Sequence, residues 1–80
     1  MEEIELDAQG LDCPLPLLKA KQVLNRLPAG AKLRVLATDP GSQRDFAAFC
    51  RIAGHQLLES AEQDGVYRYL LLKGGDQPHS

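Results

Sequence analysis

From Glu3 to Asp7 polar and apolar residues alternate, with Ile4 and Leu6 on one side, which is the period of a strand. Gln9-Gly10 interrupts it as a turn. From Pro14 to Leu27 the period lengthens. Leu17, Leu18, Leu24 and Leu27, with Ala20 and Val23 between them, line one stripe of a helix, and Pro28-Ala29-Gly30 closes it. Alternation returns over Lys32 to Thr38, where Leu33, Val35 and Ala37 share a face, and Asp39-Pro40-Gly41 turns the chain. Ser42, with Asp45 three residues on, has the spacing of a capping box and opens a second helix that runs to about Ala53 and stops at Gly54. Gln56 to about Glu62 is a third strand, Asp64-Gly65 a tight hairpin signal, and Val66 to Leu72 a fourth strand. From about Gly74 to Ser80 no pattern persists, and the segment reads as a frayed tail.

The order strand, helix, strand, helix, strand, strand contains two strand–helix–strand units, which are expected to make parallel neighbours with right-handed crossovers. The closing hairpin is antiparallel, so the four-stranded sheet is mixed. Two helices cover one face only, which predicts an α+β fold, a two-layer α/β sandwich, built as a single domain over residues 1–80. A chain of 80 residues buries only about 60% of its unfolded surface, so the core is small. If Leu33, Val35, Tyr67, Tyr69 and Leu71 face the helices, then Leu36, Leu70 and Leu72 form an apolar patch on the open face, edged by Arg34 and Arg68. Such a patch is either a docking surface or is crowded over by its neighbours.

An apolar content of 44% is too high for a disordered chain. The formal net charge is −2, and the nine Lys and Arg are scattered, which argues against direct binding of nucleic acid because phosphate recognition needs clustered positive charge. Glu2, Glu3, Glu5 and Asp7 oppose a secretory signal, and no apolar run approaches the roughly 20 residues of a membrane helix. The expected setting is the cytoplasm, without a membrane partner. There the two cysteines stay reduced. With no Cys-x-x-Cys and neither His close to a Cys in sequence, they do not read as a metal site.

Cys13 is the candidate functional residue. It stands at the mouth of the first helix, and Pro14 and Pro16 both fall in the first turn, where missing N–H groups cost no helical bond. The thiolate is the reactive form of cysteine, and a helix N-terminus favours an anion. With two prolines removing donors, the Leu15 N–H is the expected hydrogen bond to the sulfur. Asp12 works the other way, since a neighbouring carboxylate raises a thiol pKa. The competing reading is a small buried apolar residue near a turn.

The run Gly10-Leu11-Asp12-Cys13-Pro14-Leu15-Pro16 resembles the Gly-Leu-x-Cys-Pro-x-Pro signature of the TusA/SirA-like sulfur carrier proteins. The likeness continues through Ala37-Thr38-Asp39-Pro40, Asp45 with Phe49-Cys50, Gly54-His55, Tyr67-Arg68-Tyr69-Leu70 and Lys73-Gly74-Gly75. It implies that Cys13 carries sulfur as a persulfide. It further implies a cysteine desulfurase or similar sulfur donor, a downstream acceptor protein, and 2-thiouridine in tRNA or another sulfur-transfer product. No metal, nucleotide or other cofactor is implied. Asp12 and Leu15 stand where the best-known member has a basic and an acidic residue. Two other classes compete: a redox-sensing thiol switch with Cys13 oxidised to a sulfenic acid, and a non-catalytic interaction or regulatory module using the open sheet face.

The remaining candidates have plainer readings. Cys50 lies on the apolar side of the second helix as core, at the wrong end of the fold to pair with Cys13 within the ~7 Å Cα separation of a disulfide. His55 starts a strand or turn, with a proton donor as its alternative, and His79 lies in the tail with no role assigned. Asp39 shapes its turn. Lys19, Lys21 and Arg26 form a solvated helix face or dock an acidic partner.

Overall fold

A computed structural model describes residues 3–75. Strand β1 (Glu3–Ala8) leads to helix α1 (Leu15–Leu24), β2 (Lys32–Ala37), α2 (Ser42–Ala53), β3 (Gln56–Gln63) and β4 (Val66–Leu72). The sheet order is β1-β2-β4-β3. β1 and β2 run parallel, with Ala8 opposite Ala37 at their C-terminal ends, and β4 is antiparallel to both β2 and β3. The fold is the expected α+β sandwich with a mixed four-stranded sheet, but the second strand–helix–strand unit does not make neighbouring strands: β4 folds back through its hairpin and lies between β2 and β3.

The core forms where the alternation of the strands meets the helices. Leu33, Val35 and Ala37 of β2 and Tyr69 and Leu71 of β4 are buried on one sheet face, with Ala8 of β1, Ala20 and Leu24 of α1, and Phe46 and Cys50 of α2 packed on them. The Tyr69 ring stacks on Phe46 at 4.8 Å. Leu17, Val23 and Leu27 pack on this cluster, whereas Leu18, expected in the helical stripe, is 44% exposed. Helix α1 ends at Leu24 rather than Leu27. Its last turn tightens into i→i−3 bonds from Arg26 N to Val23 O and from Leu27 N to Leu24 O. The Lys73 ammonium donates to the Leu24 and Leu27 carbonyls, a cation at the negative end of the helix.

The second helix departs from its expected start in one respect. Its N-cap is Gly41, and neither Ser42 nor Asp45 makes a capping bond. The Ser42 hydroxyl donates instead to the Asp39 carbonyl at 2.7 Å and so accepts from the Tyr69 hydroxyl, also at 2.7 Å. The other end matches expectation, with Gly54 left-handed at φ 84°. Asp64 and Gly65 both have positive φ, the conformation of a type I′ hairpin turn. A bulge between Leu57 and Glu59 in β3 keeps Leu57 on the core face and turns Glu59 to the open one.

The open face is crowded. Leu36, Leu70 and Leu72 are each half-buried there. Arg34 spans the strands, ion-paired with Glu3 at 3.5 Å and Glu59 at 3.1 Å. Gly74, expected to begin a tail, is held in place by donating its N–H to His55 Nδ1 at 2.8 Å. His79 and residues 76–80 lie outside the described residues.

An added Cβ at Gly74 would run into the Gly54 carbonyl oxygen and lie 3.3 Å from His55 Nδ1. Gly74→Ala is therefore expected to cost about 1–3 kcal/mol, the usual price of overpacking. Urea unfolding measures it, and an unchanged midpoint would contradict this close approach.

Candidate functional site

Parallel strands followed by helices bring the C-terminal ends of β1 and β2 and the N-terminal ends of α1 and α2 to one end of the sheet. Two loops meet there. In the β1–α1 loop, Gly10 adopts φ 83° and donates its N–H to Thr38 Oγ1 at 2.9 Å, tying the loop to the end of β2. In the β2–α2 loop, Ser42 N donates to Asp39 O at 3.0 Å, and Asp45 N to Gly41 O at 3.2 Å. Cys13, in the β1–α1 loop, meets the β2–α2 loop and the start of α2 with a free, exposed thiol.

The Cys13 thiol donates to Asp45 Oδ2 at 2.6 Å. Asp45 is 32 residues away in sequence and sits in the first turn of α2. Gly41 lies beneath the sulfur: a Cβ there would be 3.9 Å from Cys13 Sγ and only 3.1 Å from Asp39 Oδ2. That Asp39 oxygen is buried with no hydrogen-bond partner among the described residues. The turn-shaping assigned to Asp39 comes from its carbonyl, which receives both Ser42 donors.

This geometry replaces both of the expected partners of the sulfur. The Leu15 N–H does not reach the sulfur; it donates to the Asp12 carbonyl at 2.8 Å, so that backbone group is already satisfied. Helix α1 is capped by Pro14 without any side-chain bond. The Cys13 pKa is raised, first by the hydrogen bond to Asp45, then by partial desolvation and the negative charges of Asp45 and Asp39, with Arg44 opposing. Asp12, the expected source of repulsion, is not among these causes. The acidic neighbours that matter come from another helix and loop, and no spacing within the Cys13 segment could reveal them.

The other candidates lie elsewhere. Cys50 is 3% exposed in the core, a free cysteine whose thiol is pushed up to about 11 by burial. His55 accepts from Gly74 at the far end, and burial followed by the nearby Lys73 lowers its pKa, so it is neutral at pH 7. Lys19 and Arg26 are solvated, and the Lys21 ammonium lies 5.6 Å from the Phe49 ring centre. A cleft at that far end is lined by Lys21, Phe49, Ile52, His55 and Lys73 and includes neither Cys13 nor Asp45. Among the described residues no cluster of His, Cys, Asp or Glu could hold a metal ion, and no helix is long and apolar enough to cross a membrane.

The family described as sulfurtransferase TusA matches residues 4–73, nearly the whole chain. The chain belongs to the TusA family. Among its relatives, the sulfur carrier protein TusA of Allochromatium vinosum is 52% identical over 69 residues, covering 86% of this chain and 91% of the relative. A putative sulfur carrier protein of Neisseria meningitidis is 54% identical over 67 residues, covering 84% and 90%. The crystal structure of a SirA-like protein from Desulfitobacterium hafniense superposes with a TM-score of 0.77 at 33% identity, covering 92% of this chain and 99% of that one. The TusA fold is thus shared through the segments that carry Cys13 and Asp45.

The two thiols should differ sharply in solution. Iodoacetamide at pH 8 is expected to add a single adduct to the native protein, on Cys13, with Cys50 labelled only after unfolding. Peptide mass mapping reads this directly; equal native labelling of both would contradict the packing of Cys50.

Proposed function

We propose that this protein is a sulfur carrier that holds sulfane sulfur as a persulfide on Cys13 and relays it between two protein partners. The observation that carries the reading is the exposed reduced thiol of Cys13, set at the tip where two helices begin, in a chain related to named sulfur carriers over nearly its whole length. An exposed sulfur away from the cleft suits insertion into another protein's active site rather than capture of a small substrate.

Loading is an exchange between sulfur atoms. The Cys13 thiolate attacks the outer sulfur of the donor's persulfide. A new Sγ–S bond forms, the donor's S–S bond breaks, and its electron pair stays on the donor sulfur, which takes up the proton that Cys13 gave up. Delivery repeats the step with an acceptor thiolate attacking the outer sulfur on Cys13, which returns to the thiol. The donor is a cysteine desulfurase or a comparable persulfide-forming protein. The end use that family membership favours is 2-thiouridine formation in tRNA, with other sulfur-transfer pathways as alternatives. The setting is the cytoplasm, in keeping with two free cysteines. A redox-sensing switch fits less well, because sensor cysteines have lowered pKa values and that of Cys13 is raised.

Incubation with a cysteine desulfurase and cysteine is expected to add the mass of one sulfur atom to the peptide holding Cys13, and a reductant to remove it. Cys13→Ser should take up none. If that variant loads as well as the parent protein, Cys13 is not the carrier residue.

A further inference from the structure

We propose that Asp45 is a latch on Cys13, holding the sulfur as a hydrogen-bonded thiol in the free protein and releasing it as thiolate when a partner presents a cationic side chain to the Asp45 carboxylate. Asp45 is thus a positioning residue for the exchange, and the inference takes its meaning from the reading of Cys13 as the sulfur-bearing residue.

The geometry is specific. Asp45 Oδ2 lies 2.6 Å from Cys13 Sγ and is carried on the first turn of α2, whose backbone is anchored by Asp45 N bonding to Gly41 O. The groups that face the thiol are few. Helix α2 contributes Asp45 and Arg44 and the β2–α2 loop contributes Asp39, whereas Asp12, the sequence neighbour, is not among the groups acting on the thiol. Asp45 and Asp39 favour the protonated sulfur, and Arg44 alone opposes them. A thiol is a poor nucleophile beside its thiolate, so the free carrier is protected from oxidants and from sulfur exchange with the wrong donor.

Attack on the donor's persulfide requires the Sγ proton to leave. A cation paired with Asp45 cancels its charge and competes for the oxygen that accepts the S–H, so the thiolate is released only inside the complex. The proton leaves with the donor's departing sulfur, and no oxidant or reductant is consumed. Once loaded, Sγ has no proton to donate, and the bond to Asp45 is gone. An ionised outer sulfur is then repelled by both carboxylates and pushed outward, toward an acceptor.

The test is the pH dependence of iodoacetamide alkylation of Cys13 in the full chain without any partner. Asp45→Asn and Asp45→Ser are compared with the parent, and folding is checked by circular dichroism. Serine has an ordinary helix propensity, slightly better than that of asparagine, so it keeps the test open if asparagine perturbs the helix. Both variants are expected to lower the midpoint of the rate profile and to raise the rate at pH 7 by about fivefold or more, since rate follows the thiolate fraction. Asp12→Asn is expected to leave the midpoint in place. Folded Asp45 variants with the parent's profile, or a higher midpoint, would overturn the latch. Because alkylation involves no sulfur donor, that outcome leaves the carrier reading standing. A failure of persulfide loading would sink the carrier reading and leave the latch measurement intact.

Discussion

The contact between Tyr69 and the start of α2 is the interaction on which the Cys13 end of the molecule rests. Tyr69 is fully buried, its ring stacked on Phe46 and its hydroxyl bonded to Ser42, whose own hydroxyl holds the Asp39 carbonyl. A buried hydroxyl without a partner is costly, so this chain of bonds fixes one rotation of α2 about its axis. That rotation places Asp45 opposite Cys13. The same packing sets Gly41 under the sulfur, where any side chain would press on Asp39. The site is therefore an outcome of core packing more than of its own loop.

Two opposing electrostatic influences meet at the sulfur. Helix N-termini favour an anion, and two of them converge here. Yet the Leu15 N–H is spent on the Asp12 carbonyl, while two carboxylates stand close enough to favour the thiol. A direct hydrogen bond and nearby full charges favour the thiol, and the Leu15 donor that could have met the sulfur is already occupied.

At the far end the chain closes on itself. The Lys73 ammonium satisfies carbonyls at the end of α1, and Gly74 passes close to Gly54 while bonding to His55. These bonds join the last strand to both helices. They account for residues with polar or titratable side chains that lie far from the sulfur and have structural work to do.

Much of the fold was legible because its signals are local. Alternation in Lys32–Ala37 and Val66–Leu72 marks the strands whose inner residues are buried, Gly54 ends α2 in the left-handed conformation, and Asp64-Gly65 forms the hairpin. The position of Cys13 at the mouth of α1 was legible too, from the two prolines beside it. Other features were not. The bulge at Leu57/Glu59, the early end of α1 and the loss of the Ser42–Asp45 cap depend on partners remote in sequence. So does the environment of Cys13, where the nearest residue, Asp12, suggested the right sign of pKa shift for the wrong reason. By itself the sequence determined the elements, the inner faces of the strands and the cysteine at a helix mouth, because those follow from neighbouring residues and backbone preferences. Only the tertiary structure decided that Cys13 meets Asp45, since a carboxylate 32 residues away reaches the sulfur through the packing of one helix on the sheet.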